Sequence, residues 1–163
     1  SRRRHTRYIS VTGVQTCALP ILMGWAASKG ELAAPAYLIY ASAILWTIGY
    51  DTIYALQDAQ DDAMAGILST ARLFGSNVRL GVSLFYLGAM LCAAGAILLV
   101  QGSLGSMLGL FGFAWHLVWQ SRQLHPSITS QMALRLFRSN RDAGLILFAG
   151  LALDNWIVHL IIG

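Results

Sequence analysis

Charged side chains are scarce in this chain of 163 residues. Asp, Glu, Lys and Arg together make up 11% of the residues and hydrophobic residues 56%, whereas an ordinary soluble domain has roughly 25% and 45–50%. The stretch from Leu80 to Ser121 contains no charged residue at all, and a membrane-spanning helix needs about 20 mostly apolar residues. The composition therefore excludes an ordinary water-soluble domain and predicts an integral membrane protein in a lipid bilayer.

Cysteine is also scarce, and the basic charge is unevenly distributed. The two cysteines, Cys17 and Cys92, form neither a disulfide framework nor a zinc-binding pattern. The chain has 11 basic and seven acidic residues, a net charge of +4, but four arginines and none of the acids lie within residues 1–21. Residues 22–163 thus carry seven basic and seven acidic residues and have no net charge. This balance predicts no nucleic-acid partner.

Residues 1–21 differ in character from the rest of the chain. Codons for Ser1–Arg7 and for Val11–Ile21 can be written, in one reading frame, as the two flanks of a common sequencing-library adapter, with Tyr8–Ser10 as its index. An Arg-rich targeting or membrane-surface arm is the alternative. We expect residues 1–21 to be translated adapter and residues 22–163 to be a partial membrane domain. The genomic sequence of the locus tests this expectation.

The uncharged runs predict an all-α, multi-span transmembrane helical bundle. The tail of a helix is expected at Leu22–Ala27. Full spans are expected at four further places, with connecting segments at Ser28–Ala33, Ala59–Asn77, Gln101–Ser103 and Ser121–Asp142. The spans are Ala34 to about Leu56, Val78–Val100, Leu104–Gln120 and Ala143–Ile162. Within the last connection, residues 131–138 have apolar positions at helical spacing, which is typical of an interfacial amphipathic helix or of a solvated connector.

The connections also predict an orientation in the membrane. Arginines are concentrated in the second and fourth connections, and cytoplasmic loops carry the excess of positive charge. Both of these connections are therefore expected on the cytoplasmic side.

Four of the seven acids lie within 12 residues, directly after the uncharged run Leu32–Tyr50. They are Asp51, Asp58, Asp61 and Asp62. On one continuous helix Asp51, Asp58 and Asp62 would fall within roughly 40° of each other and form a stripe about 16 Å long. Carboxylates beside a bilayer need compensation, and several on one face suit a hard cation such as Mg²⁺ shared with substrate phosphates. The alternative is a solvated acidic helix end, which explains Asp51 poorly.

This cluster lies in the sequence YDTIYALQDAQDD at residues 50–62, and the motif continues to Gly75. It closely resembles the second aspartate-rich motif of UbiA-type intramembrane aromatic prenyltransferases, above all those that act on 4-hydroxybenzoate. The sequence LRLFRSNRDAGLILF at residues 134–148 and MGW at residues 23–25 are also similar to that family. The resemblance covers the chain from Leu22 to about Trp156.

The resemblance implies a bundle of about nine helices, of which this chain would be the C-terminal half. It implies Mg²⁺-dependent transfer of a polyprenyl group from polyprenyl diphosphate to the ring of an aromatic acid, 4-hydroxybenzoate, in ubiquinone biosynthesis. The catalytic positions would be Asp58, Asp62, Asp61, Asp51 and Tyr54, with Asp58 and Asp62 as metal ligands. The substrate-binding positions would be Arg72, Asn140 and Arg141. A bacterial inner membrane, or a mitochondrial inner membrane in a eukaryote, is the location implied.

Two features depart from the family pattern. Leu68 stands where such enzymes often have lysine, and Arg72, one helical turn further on, is a possible replacement. The first aspartate-rich motif of the family is absent from the sequence, so the chain taken literally is expected to be inactive.

Two alternative functions stay open at this point. The acceptor could be homogentisate, a naphthoate or a porphyrin-derived ring. The acidic stripe could instead be an ion site in a non-enzymatic transport or channel protein. For Asn140 and Arg141 the alternative is a structural role near the N-terminus of the last helix, with Asp142 favourable to the helix dipole.

Overall fold

The computed structural model describes residues 18–58, 64, 68–125 and 127–162, and these residues form helices without any β-strand. Helix α1 covers residues 18–29. The other helices are α2 (Ala34–Ala55), α3 (Thr70–Phe74), α4 (Val78–Leu99), α5 (Leu104–Gln123) and α6 (Ser130–Ile162). A short 3-10 turn, Gly75–Asn77, joins α3 to α4. The prediction of an all-α fold is confirmed for this part of the chain.

Local sequence signals explain where the helices begin and end. Pro35 lies in the first turn of α2, where its missing N–H leaves no hydrogen bond unmade. The backbone N–H of Arg72 donates to the Ser69 hydroxyl at 3.4 Å, which caps α3. After α4 the chain turns through Gln101, whose φ of 53° is left-handed, and the Gly102 N–H donates to the Ile97 carbonyl at 2.9 Å. This turn leaves α4 and α5 as neighbours.

Helix α2 packs mainly against α4, and α5 packs mainly against α6. Small side chains fill these contacts: Ala89, Ala93 and Ala96 of α4 are buried. The large apolar side chains on the same helix point outward, and they include Leu84, Leu87, Leu91 and Leu98. Small residues inside and large apolar residues outside are typical of helices that pack closely within a membrane.

The segment Thr70–Leu99 is the one stretch of the described chain that is long and apolar enough to cross a membrane, and its most apolar 18 residues have a mean hydropathy of 2.2. It contains the span predicted at Val78–Val100. The other three predicted spans form helices, but none of them meets this length and composition criterion.

The predicted boundaries are correct for the middle helices and wrong at both long connections. Helices α2, α4 and α5 end within three residues of their predicted ends. The connection predicted at Ala59–Asn77 contains α3, and the one predicted at Ser121–Asp142 is shorter than expected, because α5 extends to Gln123 and α6 begins at Ser130. Residues 131–138 are helical, but they form the start of α6 and not a separate helix.

A buried polar network ties α4, α5 and α6 together. The Tyr86 hydroxyl donates to Gln120 Oε1 at 2.7 Å. Gln120 Nε2 in turn donates to the Leu136 carbonyl at 2.9 Å and to the Ser139 hydroxyl at 2.8 Å. His116 Nε2 lies 3.1 Å from the same hydroxyl. Gln120 is completely buried, so these partners satisfy it where water cannot, and they fix the rotation of α6.

Replacing Tyr86 by Phe is expected to lower the free energy of unfolding by about 1–3 kcal/mol, because Gln120 Oε1 loses its donor inside the bundle. Thermal unfolding of the chain in detergent micelles measures the change. Tyr37→Phe is the matched control, since Tyr37 is exposed and should lose little. Equal stability of the two variants would contradict a role for the network.

The far end of α6 holds the start of α5. Asp154 Oδ2 accepts from the Ser103 N–H at 2.8 Å, and Asp154 Oδ1 accepts from the Ser103 hydroxyl. A carboxylate at a helix N-terminus satisfies a free N–H and interacts favourably with the helix dipole. Asp154 therefore has a structural role that sequence reasoning missed, because its partner is 51 residues away.

Candidate functional site

A cavity of about 450 Å³ lies between α1, α2 and α6. Its volume is in the range of small-molecule sites. Aromatic rings line it, together with the polar side chains of α6. The lining residues are Ala18, Ile21, Ala43, Trp46, Thr47, Tyr50, Phe137, Arg138, Asn140 and Arg141. Two of them, Ala18 and Ile21, belong to the segment expected to be translated adapter, and the origin of that segment stays a prediction.

The aromatic side of the cavity is built on α2. Trp46 and Tyr50 are one helical turn apart, so they share a face of α2, and their ring centroids are 5.7 Å apart. Trp46 also meets Phe113 edge-on at 5.1 Å. Tyr50 packs against Phe137 of α6 at 5.7 Å. Edge-to-face contacts of this kind hold the rings in defined orientations.

Tyr54 continues this face toward the end of α2. Its ring lies 4.9 Å from that of Phe137, and 46% of the residue is exposed. The row of rings at positions 46, 50 and 54 thus leads from the cavity toward the end of α2, which Asp58 follows. The spacing of four residues was visible in the sequence, but sequence reasoning did not assign Tyr50 or Phe137 to the site.

Asn140 lines the cavity and is buried. Its Oδ1 accepts from the Trp46 indole N–H at 2.9 Å, and its Nδ2 donates to the carbonyls of Leu136 and Phe137. Both ends of the amide are therefore engaged. Because Asn140 accepts a hydrogen bond from Trp46, it holds the Trp46 ring in a fixed orientation at the cavity.

Arg141 lines the same cavity. Its guanidinium contacts Asp142 Oδ1 at 2.9 Å and 3.0 Å, and both side chains are largely exposed. The structural alternative for Asn140 and Arg141 placed them near a helix N-terminus. The N-terminal placement is wrong, because α6 begins at Ser130, ten residues before Asn140, whereas the contact of Asn140 with Trp46 is itself a structural one.

The acidic stripe predicted on one continuous helix is also wrong. Helix α2 ends at Ala55, with Leu56 as its C-cap, and Asp58 follows in a bend. The periodicity argument placed Asp51 and Asp58 on one helical face, and that argument fails once the helix stops. Both side chains are exposed near the end of α2. Asp61 and Asp62 lie outside the described residues.

Hydroxyl contacts hold the segments that flank the acidic cluster. The Thr52 hydroxyl donates to the Thr70 hydroxyl at 2.9 Å, which joins α2 to the start of α3. The Ser130 hydroxyl donates to the Gln57 carbonyl at 3.1 Å, which joins the end of α2 to α6. Arg72 is exposed on α3 and is not among the residues that line the cavity.

In the part of the chain that the structure covers, no group of three or more His, Cys, Asp or Glu side chains could hold a metal ion. This part includes only Asp51 and Asp58 of the four clustered acids. What it does establish is an aromatic cavity with basic side chains between α1, α2 and α6, and two exposed carboxylates near the end of α2.

Comparison with known proteins defines the class. The signature of the UbiA prenyltransferase family matches residues 3–141, and the chain belongs to this family. The 4-hydroxybenzoate octaprenyltransferase of Pseudomonas putida strain GB-1 is 38% identical over 161 residues, covering 93% of this chain and 51% of that protein. The enzyme of the same name from Pseudomonas aeruginosa strain UCBPP-PA14 is 36% identical, and the alignment covers 93% of this chain and 51% of that protein. The one from Shewanella sediminis strain HAW-EB3 is 37% identical, and the alignment covers 82% of this chain and 46% of that protein.

The chain spans about half the length of these curated relatives. No solved structure matches it.

Proposed function

We propose that the protein acts as a polyprenyltransferase that attaches a polyprenyl group from polyprenyl diphosphate to the ring of 4-hydroxybenzoate, a step of ubiquinone biosynthesis. The observation that carries the proposal is the identity of 36–38% with 4-hydroxybenzoate octaprenyltransferases over 93% of this chain. This chain, which aligns with about half of each relative, contains the acidic cluster of residues 51–62 and the aromatic cavity.

The proposal includes a place in the membrane. The described helices would form the C-terminal part of a larger bundle of about nine helices in a bacterial inner membrane. The leucines on the outer face of α4 support contact with lipid, since apolar side chains on the outside of a helical bundle are compatible with the lipid bilayer. The arginine-rich connections would face the cytoplasm.

The metal site would be built on the acidic cluster. Asp58 and Asp62 would hold Mg²⁺, with Asp61, Asp51 and Tyr54 in support. The donor chemistry fits, because Mg²⁺ prefers oxygen ligands and is usually bound by one or two carboxylates together with substrate phosphates. Asp58 is exposed beyond the end of α2, so its carboxylate is accessible to a cation. When bound, the cation would neutralise the charge of the leaving diphosphate.

The chain's own residues would bind and orient the two substrates. Arg72 and Arg141 are the candidates for contact with anionic groups, and both are exposed. Asn140 would act through Trp46, to which it is hydrogen-bonded. The rings of Trp46, Tyr50 and Phe137 would keep water from the cavity, so that the group transferred reaches the acceptor ring and not a water molecule.

A chimaera tests the activity. Residues 22–163 are joined, at the aligned position, to the N-terminal half of the Pseudomonas putida GB-1 relative and expressed in membranes. With Mg²⁺, a polyprenyl diphosphate and labelled 4-hydroxybenzoate, the expected products are prenylated 4-hydroxybenzoate and diphosphate in equal amounts. Preference for homogentisate or a naphthoate would overturn the proposed acceptor. Failure to prenylate any aromatic ring, in a chimaera shown to be folded, would overturn the activity.

A further inference from the structure

An open pocket of about 310 Å³ lies at the start of α4, and it shares no lining residue with the aromatic cavity. The 3-10 turn Gly75–Asn77 directly precedes α4, so polar side chains of the turn lie beside the first turns of the helix. The lining residues are Ser76, Asn77, Arg79, Leu80 and Ser83. The lining of the pocket thus contains one guanidinium, one amide and two hydroxyl groups, and no carboxylate.

Arg79 gives this pocket its positive charge. The residue is exposed, and within the described part of the chain no hydrogen bond or ion pair engages its side chain. Arg79 and Ser83 are four positions apart, so they share a face of α4. A guanidinium and a hydroxyl group on one face can both donate to the oxygens of a phosphate group. The chemistry of the pocket is therefore that of a site for a phosphate.

The surface that continues from the pocket along α4 is apolar. Leu80 lines the pocket and is the first of a row of exposed leucines. The row continues with Leu84, Leu87 and Leu91, and spacings of four, three and four residues keep these side chains on one helical face. The row belongs to Thr70–Leu99, the segment apolar enough to cross a membrane. The phosphate site thus lies at the end of a surface that acyl chains can cover.

A phospholipid satisfies both features, since it joins a phosphate to apolar chains. A soluble phosphate ion makes no use of the leucine row. A magnesium-bound diphosphate needs carboxylate ligands, and the pocket lining has none. In the proposed membrane placement the pocket faces the cytoplasmic leaflet, whose anionic lipids attract basic side chains close to a membrane helix.

We propose that the pocket at the start of α4 binds the phosphate of an anionic phospholipid from the cytoplasmic leaflet. Arg79 pairs with the phosphate, the hydroxyls of Ser76 and Ser83 donate to it, and an acyl chain lies along the leucine row. The inference goes beyond prenyl transfer, and it rests on the proposed function only for the placement in the membrane. A lipid bound in this way holds the turn before α4 at the membrane surface.

Lipid titration of the full chain in detergent micelles, followed by native mass spectrometry, tests this inference without any need for catalysis. The probes are phosphatidylglycerol, which is anionic, and phosphatidylcholine, which has no net charge. The unmodified chain should bind phosphatidylglycerol more tightly. Arg79→Gln should weaken binding of phosphatidylglycerol by about fivefold, the scale of one basic residue at an anionic membrane surface, and should leave binding of phosphatidylcholine nearly unchanged. Arg79→Lys should keep most of the preference, because it keeps the charge.

Arg122→Gln is the matched control. Arg122 is an exposed arginine near the end of α5, it belongs to the other arginine-rich connection, and it does not line the pocket. Its replacement should leave binding of phosphatidylglycerol within about twofold. Equal losses in the Arg79 and Arg122 variants would overturn the inference, because the attraction would then belong to basic charge in general. Equal binding of the two lipids by the unmodified chain would also overturn it.

Two competitors distinguish the sources of phosphate. Millimolar inorganic phosphate should leave the bound phosphatidylglycerol in place, and its displacement would overturn the assignment to a lipid. Displacement by a polyprenyl diphosphate with Mg²⁺ would overturn it as well, since the pocket would then belong to the prenyl donor. An inactive chimaera combined with Arg79-dependent lipid binding would contradict the proposed function and leave this site standing. An active chimaera that binds phosphatidylglycerol equally well with Arg79→Gln would do the reverse.

Discussion

Asp58→Asn in the chimaera is expected to lower the rate of prenyl transfer by at least about 10²-fold, the scale of losing one group that stabilises transition-state charge. Asparagine has nearly the same size as aspartate but lacks the negative charge that holds a divalent cation. Asp62→Asn is expected to have a similar effect, and the double variant should be little worse than either single one, because both act on one cation. Release of diphosphate and formation of product are both measured.

The control for this prediction is Asp142→Asn. Asp142 is an exposed acid that pairs with Arg141, and it belongs to α6, away from the acidic cluster in the sequence. Its replacement should change the rate by less than about threefold, as is usual for an exposed ion pair. If Asp58→Asn and Asp142→Asn reduced the rate equally, the acidic cluster would have no special role.

Gly150→Ala is expected to destabilise the bundle by about 1–3 kcal/mol, because it inserts a methyl group between two helices already in backbone contact. A Cβ atom at position 150 would meet the Gly105 carbonyl oxygen at 2.6 Å and the Gly109 backbone nitrogen at 2.8 Å. Backbone atoms cannot rotate away as a side chain can, so α5 and α6 would have to separate. Thermal unfolding in detergent, followed by circular dichroism, measures the loss.

Gly24→Ala is the matched control for the glycine prediction. Gly24 lies within α1, and a Cβ atom there has no neighbour within 4 Å. Alanine in an open helical position is expected to be neutral or to stabilise slightly. Equal destabilisation by the two substitutions would contradict the close contact of α5 with α6.

The sequence was sufficient for α2, α4 and α5. Each is built on a long uncharged run and has its single charged residue, Asp51, Arg79 or Arg122, near one end, so that apolar length and helix length nearly coincide. It was insufficient for α6, because Arg135, Arg138 and Arg141 were treated as marks of a loop. The helical spacing of residues 131–138 in fact continues into the last apolar run without a break, and one helix of 33 residues results.

The candidate site, too, was only partly predictable from the sequence. The acidic cluster and the family resemblance could be recognised from residues that are neighbours in the chain. The cavity was not, because its closing contacts join distant residues: Trp46 and Asn140 are 94 positions apart. The helical arrangement of the acids failed for a local reason, since periodicity predicts which residues share a face only while the helix lasts, and α2 ends at Ala55.

A magnesium titration of the chimaera tests most directly whether this chain supplies carboxylates to a magnesium-dependent prenyl transfer. Product formation should disappear in EDTA, return with added Mg²⁺, and require a higher Mg²⁺ concentration in Asp58→Asn than in the unmodified chimaera. Prenylated 4-hydroxybenzoate formed at full rate in EDTA, or a Mg²⁺ dependence that is identical with and without the Asp58 carboxylate, would contradict the claim.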